Sequence, residues 1–507
     1  MDIKRAKQEI EHAVKAYLAV DDTGTPLIPP IRQRPILLMG PPGVGKTQIM
    51  EQIAQECGIA LVAYTITHHT RQSAIGLPFI EKRTYGGEEV SVTEYTMSEI
   101  LSSVYRLMER TGLQEGILFL DEINCVSETL APMMLQFLQC KTFGNQALPE
   151  GWLIVAAGNP PEYNKSVRDF DVVTLDRVKR IDVEEDYGVW KEYARRKNLH
   201  GAILSYLDIK KDNFYRIENT ADGLQFATAR GWEDLSELLY AYETLGIRAD
   251  REVVGQYIQM PRIAKDFANY LEMFYKYQKT YHVEGILSGT WENITVLELR
   301  EAPFDEKLSV MGLVLSRLSE EARNTRCQDA LTDALHTSLT EFREKIADAP
   351  PLTVLDQLLW KRRTAMKQAK EAGQLDKESR DLKQREINAL EDYRQRLDRE
   401  AVAPEGAMDA VRGWFGEEVE RRKAVAMETK DMFDNAFRFL ETTFGDSQEL
   451  VIFVTEITVG YNTSWFVEQF GCDAYFRHNR ELLFDSTRHR IREEIAAAKA
   501  AEQEENT

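Results

Sequence analysis

"LLMGPPGVGKTQIM", residues 37–50, interrupts an apolar run with three glycines and two prolines and then resumes as a helix. The spacing G-x-x-x-x-G-K-[ST] is met by Gly40, Gly45, Lys46 and Thr47. A turn of this kind gathers backbone N–H groups around phosphate, with the lysine reaching the β- and γ-phosphates and the hydroxyl reaching Mg²⁺. Its flanks agree: "PILLM" (35–39) reads as a strand, and "TQIMEQIAQEC" (47–57) as a helix whose N-terminus adds favourable partial charge. Gly43 and Gly45 allow the backbone to turn inward. The expected phosphate cradle is therefore Gly40, Pro41, Pro42, Gly43, Val44, Gly45, Lys46, Thr47 and Gln48.

Two further stretches supply what a bare phosphate cradle lacks. "GILFLDEIN" (116–124) buries four apolar residues and delivers Asp121 and Glu122 at the strand's end. Asp121, with Thr47, is placed to hold the Mg²⁺ shell, and Glu122 to orient and activate a water. A Glu beside the Asp favours hydrolysis over transfer to a bound acceptor. "LIVAAGNPPEYNKS" (153–166) is another apolar strand ending in an amide. Asn159 either touches the γ-phosphate and attacking water or caps a turn before Pro160.

At 507 residues the chain has room for about two to four domains. Its 43% hydrophobic and 29% charged residues read as soluble and globular. No run of apolar residues is long enough to span a bilayer. "LVIFVTEITV" (450–459) is short and interrupted by Glu456, and reads as a buried strand or helix. The opening "MDIKRAKQEIEHAVKAYL" is an amphipathic helix carrying acids, unlike a secretory signal. Five scattered cysteines without C-x-x-C spacing point to reduced thiols and a cytoplasmic protein. A net charge of −20 makes general nucleic-acid binding unfavourable, though a local basic patch or pore remains compatible with it.

Along the chain, residues 1–34 give a helix and a linker rich in turn formers. Over 35–186, apolar runs at 35–39, 59–66, 117–120, 153–157 and, more weakly, 172–175 alternate with helical stretches, the pattern of a parallel α/β sheet. Residues 187–293 read as helical, a lid over that core, and 294–507 as a C-terminal helical region of unassigned role. Within it, 360–400 reads as a helical hairpin with Leu390, Tyr393 and Leu397 at heptad-like spacing, and "AAAKAAEQEENT" as a frayed tail.

With these strands in this order the chain resembles the AAA+ ATPases, and within them the MoxR-type branch with a helix-2 insert, over roughly residues 15–300. Gly40–Thr47 looks like Walker A, Leu118–Glu122 like Walker B and Asn159 like sensor 1. "LDRVKRIDV" (175–183) is similar to the branch's "LDRF" segment, with Val178 in place of Phe. The resemblance makes Arg177 the arginine finger entering a neighbouring subunit, with Arg180 able to share or take that role. From the residues alone, a salt bridge to Asp176 or Asp182 is the other reading of Arg177. "ATARGWEDLSELL" (227–239) is similar to "TPRSWE", making Arg230 the sensor 2 residue in cis or in trans, although Ala229 and Gly231 replace Pro and Ser.

The resemblance implies a P-loop NTPase core with an all-α lid, ATP and Mg²⁺ as ligands, and a hexameric ring. It also implies a chaperone-like remodelling role and a partner carrying a von Willebrand factor A domain. The client is left open, and adenine over guanine is implied by the resemblance alone, since no base-reading residue can be identified in the sequence. It makes 68–101, with its Gly-Gly hairpin signal, and 140–152, which reads as a second hairpin, the insertions that project toward a ring's pore; the other reading is that both are only surface loops. A helicase-like nucleic-acid motor and a nucleotide-gated scaffold are the alternatives. Lesser features read blandly: His68–His69 lacks a second ligand cluster, "KRRTAMKQAK" (361–370) is a solvated basic face, and Trp190, Trp232, Trp360, Trp414 and Trp465 are core residues.

Overall fold

Nine strands form among the described residues up to Asp182, the buried ones from apolar runs bounded by turn formers. They are β1 (Ile36–Met39), β2 (Ala60–Thr65), β3 (Pro78–Tyr85), β4 (Glu88–Tyr95), β5 (Gly116–Asp121), β6 (Thr142–Phe143), β7 (Gln146–Ala147), β8 (Trp152–Gly158) and β9 (Lys179–Asp182). The computed structural model describes residues 1–480 except 69–73, 75, 87, 144–145, 164–166, 168–169 and 221–222. His69, Gly87 and the C-terminal tail, each given a reading above, lie outside the described residues. The chain divides into two compact units: Met1–Val189 with Thr228–Arg230 and Leu355–Glu391, and Trp190–Ala227 with Gly231–Val354 and Asp392–Thr507.

The first unit is built on a sheet of order β2-β5-β8-β1-β9, every pair parallel. Alternating side chains serve two cores. Leu37, Leu118, Leu120, Ile154 and Ala156 pack on one face with Ile100, Leu101, Val104 and Leu107 of the helix Glu99–Thr111. Ile36, Leu38, Ile117, Phe119, Val155 and Ala157 pack on the other. There they meet Ile49, Met50 and Ile53 of the helix Lys46–Cys57 and Ala6, Ile10 and Val14 of the helix Ile3–Leu18. Burial on both faces is why β1, β5 and β8 read as continuous apolar runs. This is the expected α/β architecture with a parallel sheet, and helices fill most of the chain after it.

The weak apolar run at 172–175 is not a strand. Asp171 caps it, its carboxylate accepting from Thr174 N at 2.8 Å, and Val172–Leu175 makes one helical turn. The fifth strand is β9, an edge strand whose one buried residue, Ile181, leaves little apolar signal.

Two insertions leave the sheet. β3 and β4 form an antiparallel hairpin from Pro78↔Tyr95 to Tyr85↔Glu88. β6 and β7 form a second, short hairpin. Gln146 of β7 ties the second to the root of the first: its Oε1 accepts from Ser98 N at 2.9 Å and its Nε2 donates to Tyr95 O at 3.1 Å. The segment Leu355–Glu391, drawn from the helices Pro351–Glu371 and Lys377–Arg399, belongs to this unit as well. Its basic residues are partly paired, Arg362 with Glu386 at 3.0 Å and Arg363 with Glu391. At the turn between the helices, Gln374 O accepts from Gln55 Nε2 at 2.7 Å and Glu371 O from Arg110 at 2.9 Å. Trp360, expected in the core, is 70% exposed.

The second unit is mainly helical. Tyr206, Trp232 and Phe267 stack edge-on and tilted at 5.2–5.9 Å between centroids. Its longest helices, Phe304–Lys345 and Ala407–Phe444, pack with Gln448–Val459 and Tyr461–Phe470 through pairs such as Phe433–Phe466 and Phe437–Phe453. The run at 450–459 is thus a helix. One antiparallel hairpin, β10 (Arg216–Thr220) with β11 (Gly223–Ala227), interrupts the stretch that helical periodicity had covered; Gly223 takes φ +113° where it pairs with Thr220. Among the described residues no single helix is long and apolar enough to cross a membrane, and none of the five cysteines is in a disulfide.

Candidate active site

The carboxyl ends of β1, β5 and β8 converge at one edge of the sheet, where ligands bind in open parallel sheets. After β1 the chain turns through Gly43 (φ +77°) and Gly45 (φ +92°), left-handed conformations that glycine adopts without steric cost. Gly45 is the N-cap of the helix Lys46–Cys57 and has no side chain to occupy the first-turn N–H groups. Those donors and the helix dipole therefore face whatever enters the turn, and favour an anion.

Lys46 is 7% exposed. Its Nζ donates to Gly40 O and Pro41 O at 2.8 Å each and to Asn159 Oδ1 at 2.9 Å. Burial lowers its pKa from the ordinary lysine value to about 8; Asp121 works against that shift, Arg230 adds to it, and Glu122 opposes it. A desolvated ammonium held on neutral oxygens is poised for a phosphate to replace them.

Thr47 Oγ1 donates to Asp121 Oδ2 at 3.1 Å, joining the turn after β1 to the end of β5 across 74 positions of sequence. A hydroxyl and a carboxylate so paired, beside a phosphate-binding turn, are hard oxygen donors suited to Mg²⁺ that keeps waters and phosphate oxygens in its shell. The residues present therefore fit Mg²⁺ with a nucleotide. Among the described residues no group of three His, Cys, Asp or Glu side chains gathers to hold a metal alone.

Glu122 follows β5 with φ +57°, a left-handed position uncommon for a residue with a side chain. Asp121 Oδ1 accepts its N–H at 2.9 Å, and Thr67 Oγ1 donates to its Oε2 at 2.9 Å. The residue is thus held at its backbone by Asp121 and at its carboxylate by Thr67, at the site's margin.

Of the expected residues, Lys46, Thr47, Asp121, Glu122 and Asn159 come together. Arg230 also stands at the turn: a Cβ on Gly43 would lie 3.5 Å from the Arg230 Cβ and 3.4 Å from that of Thr228. Arg177 is not in this group. It is exposed just beyond Val172–Leu175 and donates to Gln139 Oε1. Asp182, one suggested partner for Arg177, is taken by Arg180 at 2.8 Å. Two residues given no role in the sequence reading contact the site: Thr67 through Glu122, and Asn124, whose Nδ2 donates to Asn159 O at 2.8 Å. Thr67 lay two residues past β2, where a polar side chain at a parallel strand's carboxyl end is a usable signal.

Together these features define a P-loop nucleotide site with a carboxylate placed beside it. Residues 36–173, from β1 to the helical turn at 172–175, match the model of the AAA family, ATPases associated with various cellular activities, so this part of the chain is an AAA ATPase domain. No curated protein matches the chain. A solved structure of C. elegans PCH-2 is similar at 15% identity and a TM-score of 0.24, over 41% of this chain and 48% of that one. The chain thus matches about half of that protein's length, a likeness too slight to bear on activity.

Proposed function

We propose that this chain is an ATP-hydrolysing motor of MoxR type, a chaperone-like remodeller of protein complexes that works as a hexameric ring. The observation that carries the hydrolytic part is the Thr47–Asp121 bond beside the strained, doubly held Glu122. In this reading the cradle 40–48 holds the triphosphate, and the Lys46 ammonium leaves Gly40 O and Pro41 O for phosphate oxygens. Thr47 and Asp121 would hold Mg²⁺, which offsets phosphate charge when bound. Glu122 orients the attacking water and accepts its proton, while Asn159 fixes the water and the γ-phosphate from the neighbouring strand.

Arg230 lies against its own chain's turn, which supports a role in cis. Arg177, exposed and turned to Gln139, serves a neighbouring subunit's site. The ring, a von Willebrand factor A domain partner and the use of ATP over GTP follow from the family resemblance and stand as proposals with it; a reducing cytoplasmic setting is proposed from the scattered cysteines. Exposed Lys82 and Arg83 on the β3–β4 hairpin are paired with Glu89, Glu81 and Glu94, which favours protein remodelling over a nucleic-acid motor.

The shared site is tested by mixing. Arg177→Ala and Lys46→Ala are each expected to lack turnover, Arg177→Ala with nucleotide affinity largely kept, and the two proteins mixed are expected to regain part of it. A mixture as inactive as its components overturns the shared site.

A further inference from the structure

We infer that Asn124 is a positioning residue, the amide that sets Asn159 against Lys46 and in register with Glu122; this rests on the hydrolytic reading above. The ends of β5 and β8 are stitched together by consecutive residues. Ile123 N donates to Ala157 O at 2.9 Å, and Asn124 Nδ2 donates to Asn159 O at 2.8 Å. Asn159 in turn accepts from Lys46 through Oδ1. One side chain therefore links the loop that carries Glu122 to the backbone of the residue that touches the phosphate-binding lysine.

Burial makes this link stiff. Asn124 is 3% exposed, and its Oδ1 is enclosed without a hydrogen-bond partner. Reversing the amide would set two acceptors against each other at Asn159 O, so the donor is kept where it is at the expense of an unpaired oxygen. That oxygen is turned against Gly158, where an added Cβ would stand 2.7 Å away. The glycine before Asn159 is thus the space the amide needs. A buried polar group retained at this cost, beside reacting groups, is spent on geometry rather than on stability.

The test is a double-mutant cycle on the full chain, reading kcat, ATP affinity and melting temperature. Asn124→Ala is expected to lower kcat about 10- to 100-fold with ATP affinity nearly unchanged, as for a small misplacement of reacting groups. Asn124→Leu, which keeps the volume and removes the donor, is expected to do the same and serves if the alanine variant fails to fold. Asn159→Ala keeps the carbonyl that Asn124 holds. In that background Asn124→Ala should lower the melting temperature as much as before yet cost kcat almost nothing more. An equal further loss of kcat in both backgrounds, or unchanged kcat in the single Asn124 variants, overturns the inference and leaves the hydrolytic reading intact. Undiminished turnover in Asn159→Ala alone removes Asn159 from the site and this inference with it.

Discussion

β5 and β3 are both strands of the first unit, and they are opposites. Ile117, Leu118, Phe119 and Leu120 of β5 are wholly buried between two helical layers. All eight residues of β3 are exposed, Ile80 at 77%, and it pairs with β4 alone. β5 gains enough from burial to hold Glu122 in a left-handed conformation at its end; a lone two-stranded hairpin is marginal in water and can hold nothing strained. The hairpin is steadied at its root by Gln146 and along its length by Lys82–Glu89 and Arg83–Glu94 pairs, which are exposed and contribute little. Chemistry sits where the backbone is over-determined, and the β3–β4 hairpin leaves its side chains exposed.

Substitutions can break that contrast. Leu118→Ala is expected to cost about 2–5 kcal/mol in denaturant unfolding, since its methyls leave a cavity between β5 and the helix Glu99–Thr111. A loss as small as that of a surface change would mean β5 is not the rigid member. Next in size is a pH effect at the buried edge. With its pKa at about 8, Lys46 is charged at pH 7 and largely neutral at pH 9, so nucleotide binding should weaken about tenfold across that range. Binding near pH 8.5 should also take up a proton, read by calorimetry in buffers of different ionisation enthalpy. Affinity that is flat to pH 9 would show Lys46 to be ordinary. Smallest of all, Ile80→Ser on the hairpin should move the unfolding free energy by less than about 0.5 kcal/mol. A larger loss would mean that the hairpin is packed, and the contrast with β5 would fail.

Legibility in the sequence follows the same division. The runs that became β1, β2, β5 and β8 could be read because strands buried on both faces are continuously apolar, and the glycine turn because few other sequences satisfy its spacing. Lys46 and Thr47 were visible through the spacing of that turn at the start of a helix, and Asp121, Glu122 and Asn159 as polar residues at strand ends. β9 was misplaced to 172–175 because an edge strand buries only Ile181, while Asp171 made the apolar residues before it a capped turn. The β10–β11 hairpin was hidden among helical stretches, its signal reduced to Gly223. Thr67 and Asn124 depend on side-chain contacts between strands far apart in sequence, which periodicity does not carry. The attachment of Leu355–Glu391 to the first unit rests on single bonds such as Gln55–Gln374, invisible in composition.

Glu122→Gln tests the centre of this account most directly, because it removes the proton acceptor and keeps the shape. ATP binding and phosphate release measured on the same protein should show nucleotide retained and turnover reduced by about 10²–10⁴-fold. Turnover equal to that of the unaltered chain, with ATP still bound, would contradict the assignment of Glu122 as the residue that activates water.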